Sequence, residues 1–168
     1  LRLADQPALA VAVESGAPVI PVYILDDETP KHRKMGAASR WWLHHSLNSL
    51  DADLRKLGSR MILRAGKSDE VLAALAKETG ASAIHCIRHY EPWWRKAQGK
   101  LKERLDLHLH DGNYLLPPGS VTTGSGTLYK IFTPFKDAMF AAIDGYDILP
   151  EPNLTAPESW PASDRLED

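Results

Sequence analysis

The sequence predicts a three-layer α/β fold, in which a parallel sheet has helices on both faces. Short apolar runs rich in β-branched residues alternate with segments of helical period, and this alternation is typical of right-handed β–α–β crossovers. The clearest helical segment, residues 36–58, has five leucines whose spacings of four and three place them on one stripe: Leu43, Leu47, Leu50, Leu54 and Leu57. A chain of 168 residues is long enough to bury the core of a single domain.

The chain opens on helix signals, with no strand pattern ahead of them. Asp5 suits an N-cap and Pro7 suits the first turn that follows it, and this helix is predicted to end near Gly16. Residues 19–25 then form an apolar, β-rich run of the kind that is buried on both faces of a parallel sheet. Pro21 conflicts with this strand, because proline cannot donate a hydrogen bond to a ladder.

The long helix of residues 36–58 spans about 30 Å, the width of a small domain. Asp51 and Arg55 form a favourable i, i+4 pair on its surface, and Gly58 suits the left-handed residue just past its end. Residues 61–64 are predicted to form the second strand.

The next four elements repeat the alternation. Ser68 is expected to cap a helix that stops at Gly80, and residues 83–87 form the third strand. Pro92 starts another helix, and the alternation of leucine and histidine predicts a fourth, shorter strand at residues 107–110.

The last predicted helix opens at Thr133 and Pro134 and ends the regular pattern. We therefore expect an α/β domain over residues 1–143 and an acidic, proline-rich linker over residues 144–168. The linker has seven acidic residues and one arginine, a net charge of −6, so the rest of the chain carries +4 within a total of −2. This positive charge is too small to predict nucleic-acid binding by itself.

Composition indicates a reducing compartment and no membrane span. Cys86 is the single cysteine, which excludes an internal disulfide framework. No apolar run approaches the roughly eighteen residues of a transmembrane helix, and no signal peptide opens the sequence. We expect a cytoplasmic protein without membrane contact.

Seven histidines raise the question of a metal site. His44 and His45 are adjacent on a helix, so their side chains diverge by about 100°. His108 and His110 share a strand face, but no third ligand has plausible spacing. We therefore predict no metal site and interpret the histidines as solvated or half-buried.

Two further features offer little catalytic chemistry. Residues 123–127, TGSGT, lack the spacing of a phosphate-binding loop, so a surface turn is favoured. Cys86 lies inside an apolar strand, where a thiol is usually inert packing, and the chain has no G-x-S-x-G elbow. No catalytic residue is predicted.

Residues 89–95, HYEPWWR, have the side chains of a ligand site at a predicted strand end, where ligands gather in parallel sheets. Two indoles, a phenol, a carboxylate and guanidinium groups suit a flat, conjugated ligand. The simpler alternative for each indole alone is that Trp94 belongs to the core and Trp93 covers a helix end. Arg40, near the start of the long helix, is either an anion ligand or a surface cation.

Four motifs, in order and at matching spacing, resemble the DNA photolyase and cryptochrome family. LRLADQPAL at residues 1–9 resembles the stretch that follows that family's first strand, and Asp26, Gly36, Arg40 and the leucine ladder resemble the next section. YEPW at residues 90–93 and TGSGTLYKIFTPFKDA at residues 123–138 resemble the two later motifs. The resemblance covers residues 1–143.

This resemblance implies the amino-terminal, Rossmann-like domain of the family, closest to a class I deoxyribodipyrimidine photolyase. In that family the domain holds a light-harvesting antenna pigment. A larger helical domain binds FAD, docks on damaged DNA and splits cyclobutane pyrimidine dimers by light-driven electron transfer. We expect a fragment that lacks this second domain, is inactive in repair by itself, and lacks the first strand of a sheet resembling the order 3-2-1-4-5.

The resemblance also implies the pigment class. Folate-binding members resemble one another in an Asn-Glu pair just after the Tyr-Glu, and Trp93 and Trp94 stand at those places here. The residues that match deazaflavin- or FMN-binding members are Ile24, Leu25, Asp26, Arg40, His89, Glu91 and Arg95. A deazaflavin or FMN is therefore expected rather than a reduced folate, with an empty site as the alternative.

Three other functions stay open. The chain resembles a cryptochrome photoreceptor, whose output is a partner protein, as much as a photolyase. A stand-alone nucleotide-binding or electron-transfer module is a second possibility. A homodimer, in which the gap left by the first strand pairs with another copy, is a third.

Overall fold

The computed structural model describes residues 1–30, 34–143, 145 and 147–165. Within them, helices and strands alternate as the sequence predicts, and the α/β fold is confirmed. The elements are α1 Pro7–Glu14, β1 Val22–Leu25, α2 Ala37–Lys56, β2 Ile62–Ala65, α3 Ser68–Thr79, β3 Ile84–Ile87, α4 Pro92–Lys102, β4 Leu107–His110 and α5 Phe132–Ala142.

The four strands form two parallel pairs rather than one continuous sheet. β1 pairs with β2, Val22 opposite Ile62, and β3 pairs with β4, Ile84 opposite Leu107. A five-strand order of 3-2-1-4-5 without its central strand would leave these same two pairs, and among the described residues no ladder joins β1 to β3. Helix α3 links the two halves, because it packs on both β1 and α4.

Pro21 does not break the first strand, because β1 begins one residue after it. Its carbonyl oxygen accepts a hydrogen bond of 2.8 Å from the backbone N–H of Ile62. The missing N–H of proline is therefore not needed, as at other strand starts. The predicted strand of residues 19–25 was three residues too long at its start.

Glycines predicted the carboxyl ends of the helices better than capping side chains predicted their starts. Gly58 and Gly80 both adopt the left-handed conformation, with φ of 74° and 69°, which was predicted for Gly58. The expected caps Asp5 and Ser68 are wrong: the N-cap positions of α1 and α3 belong to Gln6 and Lys67, without a side-chain capping bond. At the start of α3, the Asp26 carboxylate accepts from the backbone N–H of Ser68 instead.

The core includes the leucine stripe of α2 and β2, and further buried apolar side chains lie on α1, α3, α4 and β4. Leu47 and Leu54 are buried, and the other three leucines of the stripe are half-buried. Ile62 on β2 has no exposed surface. The long helix therefore buries the face that its leucine spacing predicts.

The acidic tail is extended and lies against the α/β body. The backbone N–H of Val19 donates to the carbonyl of Thr155 at 2.9 Å, and the Arg60 guanidinium lies 5.0 Å from the Trp160 ring centroid. Ser163 and Asp164 then bond to the backbone of β2. The free edge of β2 is thereby covered by the chain itself.

None of the helices in the described ranges combines the length and the apolar character that a membrane crossing requires.

Candidate functional site

Asp26 lies directly after β1 and is 8% exposed. Its Oδ1 accepts hydrogen bonds from the backbone N–H groups of Glu28 and Thr29 at 3.0 and 2.8 Å. Its Oδ2 accepts from the Thr29 hydroxyl at 2.6 Å and from the Ser68 N–H at 2.8 Å. Asp26 therefore closes the turn after β1 and fastens it to the first residue of α3.

The charge of this carboxylate is stabilised where it lies. Burial by itself would raise the pKa of Asp26, but the hydrogen bonds from Thr29 and Ser68 outweigh burial and lower the pKa below its usual value. The N-terminus of α3 adds the favourable end of a helix dipole. Both carboxylate oxygens are occupied by the protein, so Asp26 shapes the site rather than offering it a free acceptor.

Arg40, in the first turn of α2, forms an ion pair with Asp27 and donates from Nε to the carbonyl of Met35 at 3.1 Å. The hydrogen bond to Asp27 raises the pKa of Arg40. Tyr23 is close by: burial first, and the charge of Asp27 second, raise its pKa. A guanidinium has five N–H donors, so Arg40 is held in place with donors left over for an anion.

The second group of predicted residues lies between β3 and α4. His89 Nδ1 is 3.8 Å from the Glu91 carboxylate, and its ring centroid is 5.7 Å from that of Trp94. Arg95 is exposed and has no ion-pair partner among the described residues. The indole nitrogen of Trp93 is buried and has no hydrogen-bond partner among the residues that the structure describes. Buried donors are normally paired with an acceptor.

Asp111, which follows β4, is a site residue that the sequence did not single out. Its Oδ1 accepts from the Tyr90 hydroxyl at 2.6 Å and from Arg88 Nε at 2.9 Å. The hydrogen bonds from Tyr90 and Arg88 lower the pKa of Asp111. The rule that ligands gather at strand ends indicates this position, but no motif marked its role in holding the β3–α4 connection.

The seven predicted site residues fall into these two groups. Ile24, Leu25, Asp26 and Arg40 belong to the β1 end, whereas His89, Glu91 and Arg95 belong to the β3 end. Both groups lie at the carboxyl ends of parallel strands. Among the described residues no hydrogen bond or ion pair joins the two groups, which belong to different strand pairs.

Two cavities lie elsewhere. An open groove of about 830 Å³ runs between residues 1–4 and α2, where Trp41 and Trp42 are 63% and 70% exposed. A cavity of about 270 Å³ lies beside Asp111 and Tyr114. Neither is lined by any of the seven predicted residues, and the groove at α2 was not anticipated from the sequence.

The histidines of β3 and β4 gather into one stack. The His85 ring lies 4.7 Å from that of His108 and 5.3 Å from that of His110, nearly parallel to both. His85 Nδ1 and His110 Nε2 are 3.1 Å apart. Over the described residues, no group of three or more histidine, cysteine, aspartate or glutamate side chains has an arrangement that would hold a metal ion.

Cys86 is a packing residue and does not act as a nucleophile. It lies on β3, and burial raises the pKa of its thiol to about 11. The thiolate that a nucleophile needs is therefore scarce at neutral pH. The TGSGT segment is a turn closed on itself, because the backbone N–H of Thr123 donates to the carbonyl of Thr127 at 2.8 Å.

Comparison with known proteins decides the family. The family model for DNA photolyase matches residues 1–157. The chain belongs to the DNA photolyase family. This photolyase-family chain is 38% identical over 176 residues to a deoxyribodipyrimidine photo-lyase of Agrobacterium fabrum, which covers 99% of the chain and 35% of the relative. It is 36% identical over 141 residues to cryptochrome-1 of Arabidopsis thaliana, which covers 80% of the chain and 21% of that protein.

A solved structure agrees with the sequence matches. The photolyase-family chain superposes on a bacterial class III photolyase from Agrobacterium tumefaciens with a TM-score of 0.88 and 37% identity, over 98% of the chain and 35% of that structure. The resemblance inferred from the motifs is therefore confirmed at the level of family and fold. The chain spans about a third of the length of these photolyases.

Proposed function

We propose that this chain is the light-harvesting domain of a deoxyribodipyrimidine photolyase, and that residues 89–95 hold its antenna pigment. The observation that carries the proposal is the buried indole N–H of Trp93, which has no hydrogen-bond partner among the residues that the structure describes. Its segment also presents Trp94, His89 and Arg95. Aromatic faces, one unsatisfied donor and a free cation suit a flat, anionic chromophore. The identity to a photo-lyase along almost the whole chain supports the same assignment.

A deazaflavin or FMN fits this set of side chains better than a reduced folate. The two indoles replace the Asn-Glu pair expected of folate-binding members. Arg95 would meet a phosphate or carboxylate, and Trp93 would donate to a ring carbonyl. Arg40, oriented by Asp27 and Met35, would supply a second cation from the β1 end, beside Ile24 and Leu25. Asp26 would act by shaping this end, because its oxygens are already bonded.

The bound pigment would absorb the light, and the chain would fix the position of the pigment. In this proposal residues 1–143 hold the chromophore at a fixed distance and orientation, and residues 144–168 connect to a second domain that binds FAD and damaged DNA. Repair of cyclobutane pyrimidine dimers would belong to the whole protein in the cytoplasm, and the domain alone would be inactive. The class I subclass expected from the motifs stays a prediction, and the solved relative is a class III photolyase.

A pigment titration tests the proposal. The purified chain is mixed separately with FMN, a deazaflavin and methenyltetrahydrofolate, and the absorbance retained after gel filtration is measured. We expect retention of FMN or the deazaflavin, and a loss of about tenfold in affinity in the variant Trp93→Phe, which keeps the ring face and removes the donor. Retention of folate alone, or equal retention by Trp93→Phe, would contradict the site.

A cryptochrome photoreceptor is the second candidate. The observation that favours it is the 36% identity to cryptochrome-1, close to the 38% identity to the photo-lyase. The two functions differ in the output of the whole protein. The test uses the protein from the complete reading frame, loaded with flavin. Repair of dimer-containing DNA under blue light would support the photolyase, and no repair would support the photoreceptor.

A further inference from the structure

The loop of residues 111–114, which we name the β4 loop, bonds to the residues that follow β3. Asp111 Oδ1 accepts from Arg88 Nε at 2.9 Å and from the Tyr90 hydroxyl at 2.6 Å. The Tyr114 ring meets the Tyr90 ring edge-on, with the centroids 5.3 Å apart. The backbone N–H of Arg88 donates to the carbonyl of His110 at 2.8 Å. Arg88 is therefore held by its backbone and its side chain, and Tyr90 is held by its ring and its hydroxyl.

The close approach of the β4 loop to its neighbours depends on a glycine. A Cβ atom added to Gly112 would lie 3.0 Å from Ile87 Cδ1 and 3.0 Å from Pro7 Cγ, which is tighter than ordinary van der Waals contact. The Gly112 carbonyl also accepts from the Arg2 guanidinium at 3.2 Å. The loop thus lies against β3 and α1 at once, because glycine permits a backbone to come this close. These contacts fix the place from which Asp111 reaches the β3–α4 connection.

The residues next to Tyr90 have other partners. His89 Nδ1 lies 3.8 Å from the Glu91 carboxylate. Side chains two positions apart point to the same side of an extended chain, and both the shared partner of Arg88 and Tyr90 and the contact of His89 with Glu91 follow this pattern. The bonds to Asp111 therefore hold one side of the connection, and they leave His89 and Glu91 available to the proposed pigment.

These bonds restrict position more than they contribute to the stability of the fold. The side chains of Arg88 and Asp111 are 40% and 42% exposed, and ion pairs with this exposure contribute little to stability. The same bonds limit where the β3–α4 connection can lie. A segment held in its binding conformation loses less conformational entropy when the ligand binds, so its affinity for a rigid ligand is higher.

We propose that Asp111 is a positioning residue for the antenna pigment, and that it acts by fixing Arg88 and Tyr90 in the β3–α4 connection. This inference rests on the proposed function, since it takes the pigment site at residues 89–95 from it. In this arrangement Asp111 acts without touching the pigment. The Tyr90 hydroxyl is bonded to Asp111, so it orients the connection and is not a ligand of the pigment.

Pigment titration of single and double variants of the present chain tests this inference. The pigment is FMN or the deazaflavin, whichever the unaltered chain retains. Asp111→Asn and Tyr90→Phe should each lower pigment affinity about tenfold. The double variant should lose no more affinity than Asp111→Asn alone, because both substitutions act on the same hydrogen bond.

Two further measurements separate positioning from a purely structural role. The visible circular dichroism of the bound pigment reports how its ring is oriented, and it should change in Asp111→Asn and in Tyr90→Phe. The midpoint of urea unfolding should match that of the control Asp106→Asn in both variants. Asp106 is an exposed acid just before β4, so this control removes the same charge and should bind the pigment with unchanged affinity.

The outcomes distinguish this inference from the proposed function. Unchanged affinity and circular dichroism in Asp111→Asn would overturn the inference and leave the light-harvesting proposal standing. Additive losses in the double variant would show that Tyr90 contacts the pigment itself, and equal losses in Asp106→Asn would show an effect of charge alone; either result would also overturn the inference. Retention of folate alone, or of no pigment, by the unaltered chain would overturn the proposed site and this inference with it.

Discussion

The Oδ2 atom of Asp26 accepts a hydrogen bond of 2.8 Å from the backbone N–H of Ser68, 42 residues further along the chain. This contact ties the end of β1 to the start of α3, and α3 in turn packs on α4. The loop that carries Asp27, the partner of Arg40, is thus fixed by a neighbouring aspartate. One buried carboxylate organises the β1 end of the candidate site.

Replacement of Asp26 by asparagine should lower the stability of the domain. The amide keeps one acceptor but sets its NH2 group against the donors of Thr29 and Ser68, so we expect a loss of about 2–4 kcal/mol in the free energy of unfolding. Urea denaturation measures it. The control Asp53→Asn breaks an exposed pair with Lys56 and should change stability by less than about 1 kcal/mol. Equal stability of both variants would show that the Asp26 bonds contribute little.

Replacement of Arg40 by glutamine should weaken pigment binding more than it weakens folding. The pair with Asp27 is partly exposed, so its loss should cost at most about 1 kcal/mol of stability. A lost charged hydrogen bond to a phosphate should reduce FMN affinity by about tenfold to a hundredfold. Fluorescence titration measures the affinity. The control is Arg55→Gln, on the same helix and paired with Asp51, which should bind FMN with unchanged affinity. Unchanged FMN affinity in Arg40→Gln would show that Arg40 is not part of the site.

The sequence predicted the elements of this fold well because their signals are local. Leucine spacing located α2, and left-handed glycines located the ends of α2 and α3. The site was harder, because its geometry depends on contacts between distant segments. These contacts join residues 21 to 100 positions apart: the Asp26–Ser68 bond, the Tyr90–Asp111 bond, and the bonds of Ser163 and Asp164 to β2. No periodicity or motif within one segment encodes such pairings.

The histidine stack should make stability depend on pH. Burial, followed by the neighbouring His108 and His110, lowers the pKa of His85, and burial followed by His108 lowers that of His110. A histidine with a lowered folded-state pKa binds protons more readily when unfolded. Its stabilising contribution is therefore complete above the unfolded pKa of about 6.5, and is lost as the pH falls below that value.

We expect the free energy of unfolding to decrease between about pH 7.5 and pH 5.5. Two carboxylates face the stack and moderate the loss: Asp106, whose Oδ2 is 3.1 Å from His108 Nε2, and Asp111. Urea denaturation of His110→Gln at both pH values should show a smaller decrease, because one of the groups with a lowered pKa is gone. His45→Gln on α2, outside the stack, should retain the full decrease. A steeper loss in His110→Gln would contradict this account.

The end of the tail should protect the sheet edge. The Asp164 carboxylate accepts from the Ala65 N–H at 3.0 Å, and the Ser163 hydroxyl oxygen accepts from the Leu63 N–H at 2.9 Å. Unpaired donors at a sheet edge invite pairing with another chain. Asp164→Ala should therefore raise the rate of aggregation and lower stability by about 1 kcal/mol, as measured by light scattering and urea denaturation.

Glu158→Ala is the matched control for the edge, because it removes an exposed tail acid and changes the net charge by the same amount. If charge alone limited aggregation, both variants would aggregate equally. Because Asp164 acts through a directed bond to β2, we expect Glu158→Ala to behave like the unaltered chain. Asp164→Asn should be intermediate, since its amide oxygen still accepts from Ala65 without the charge that strengthens the bond.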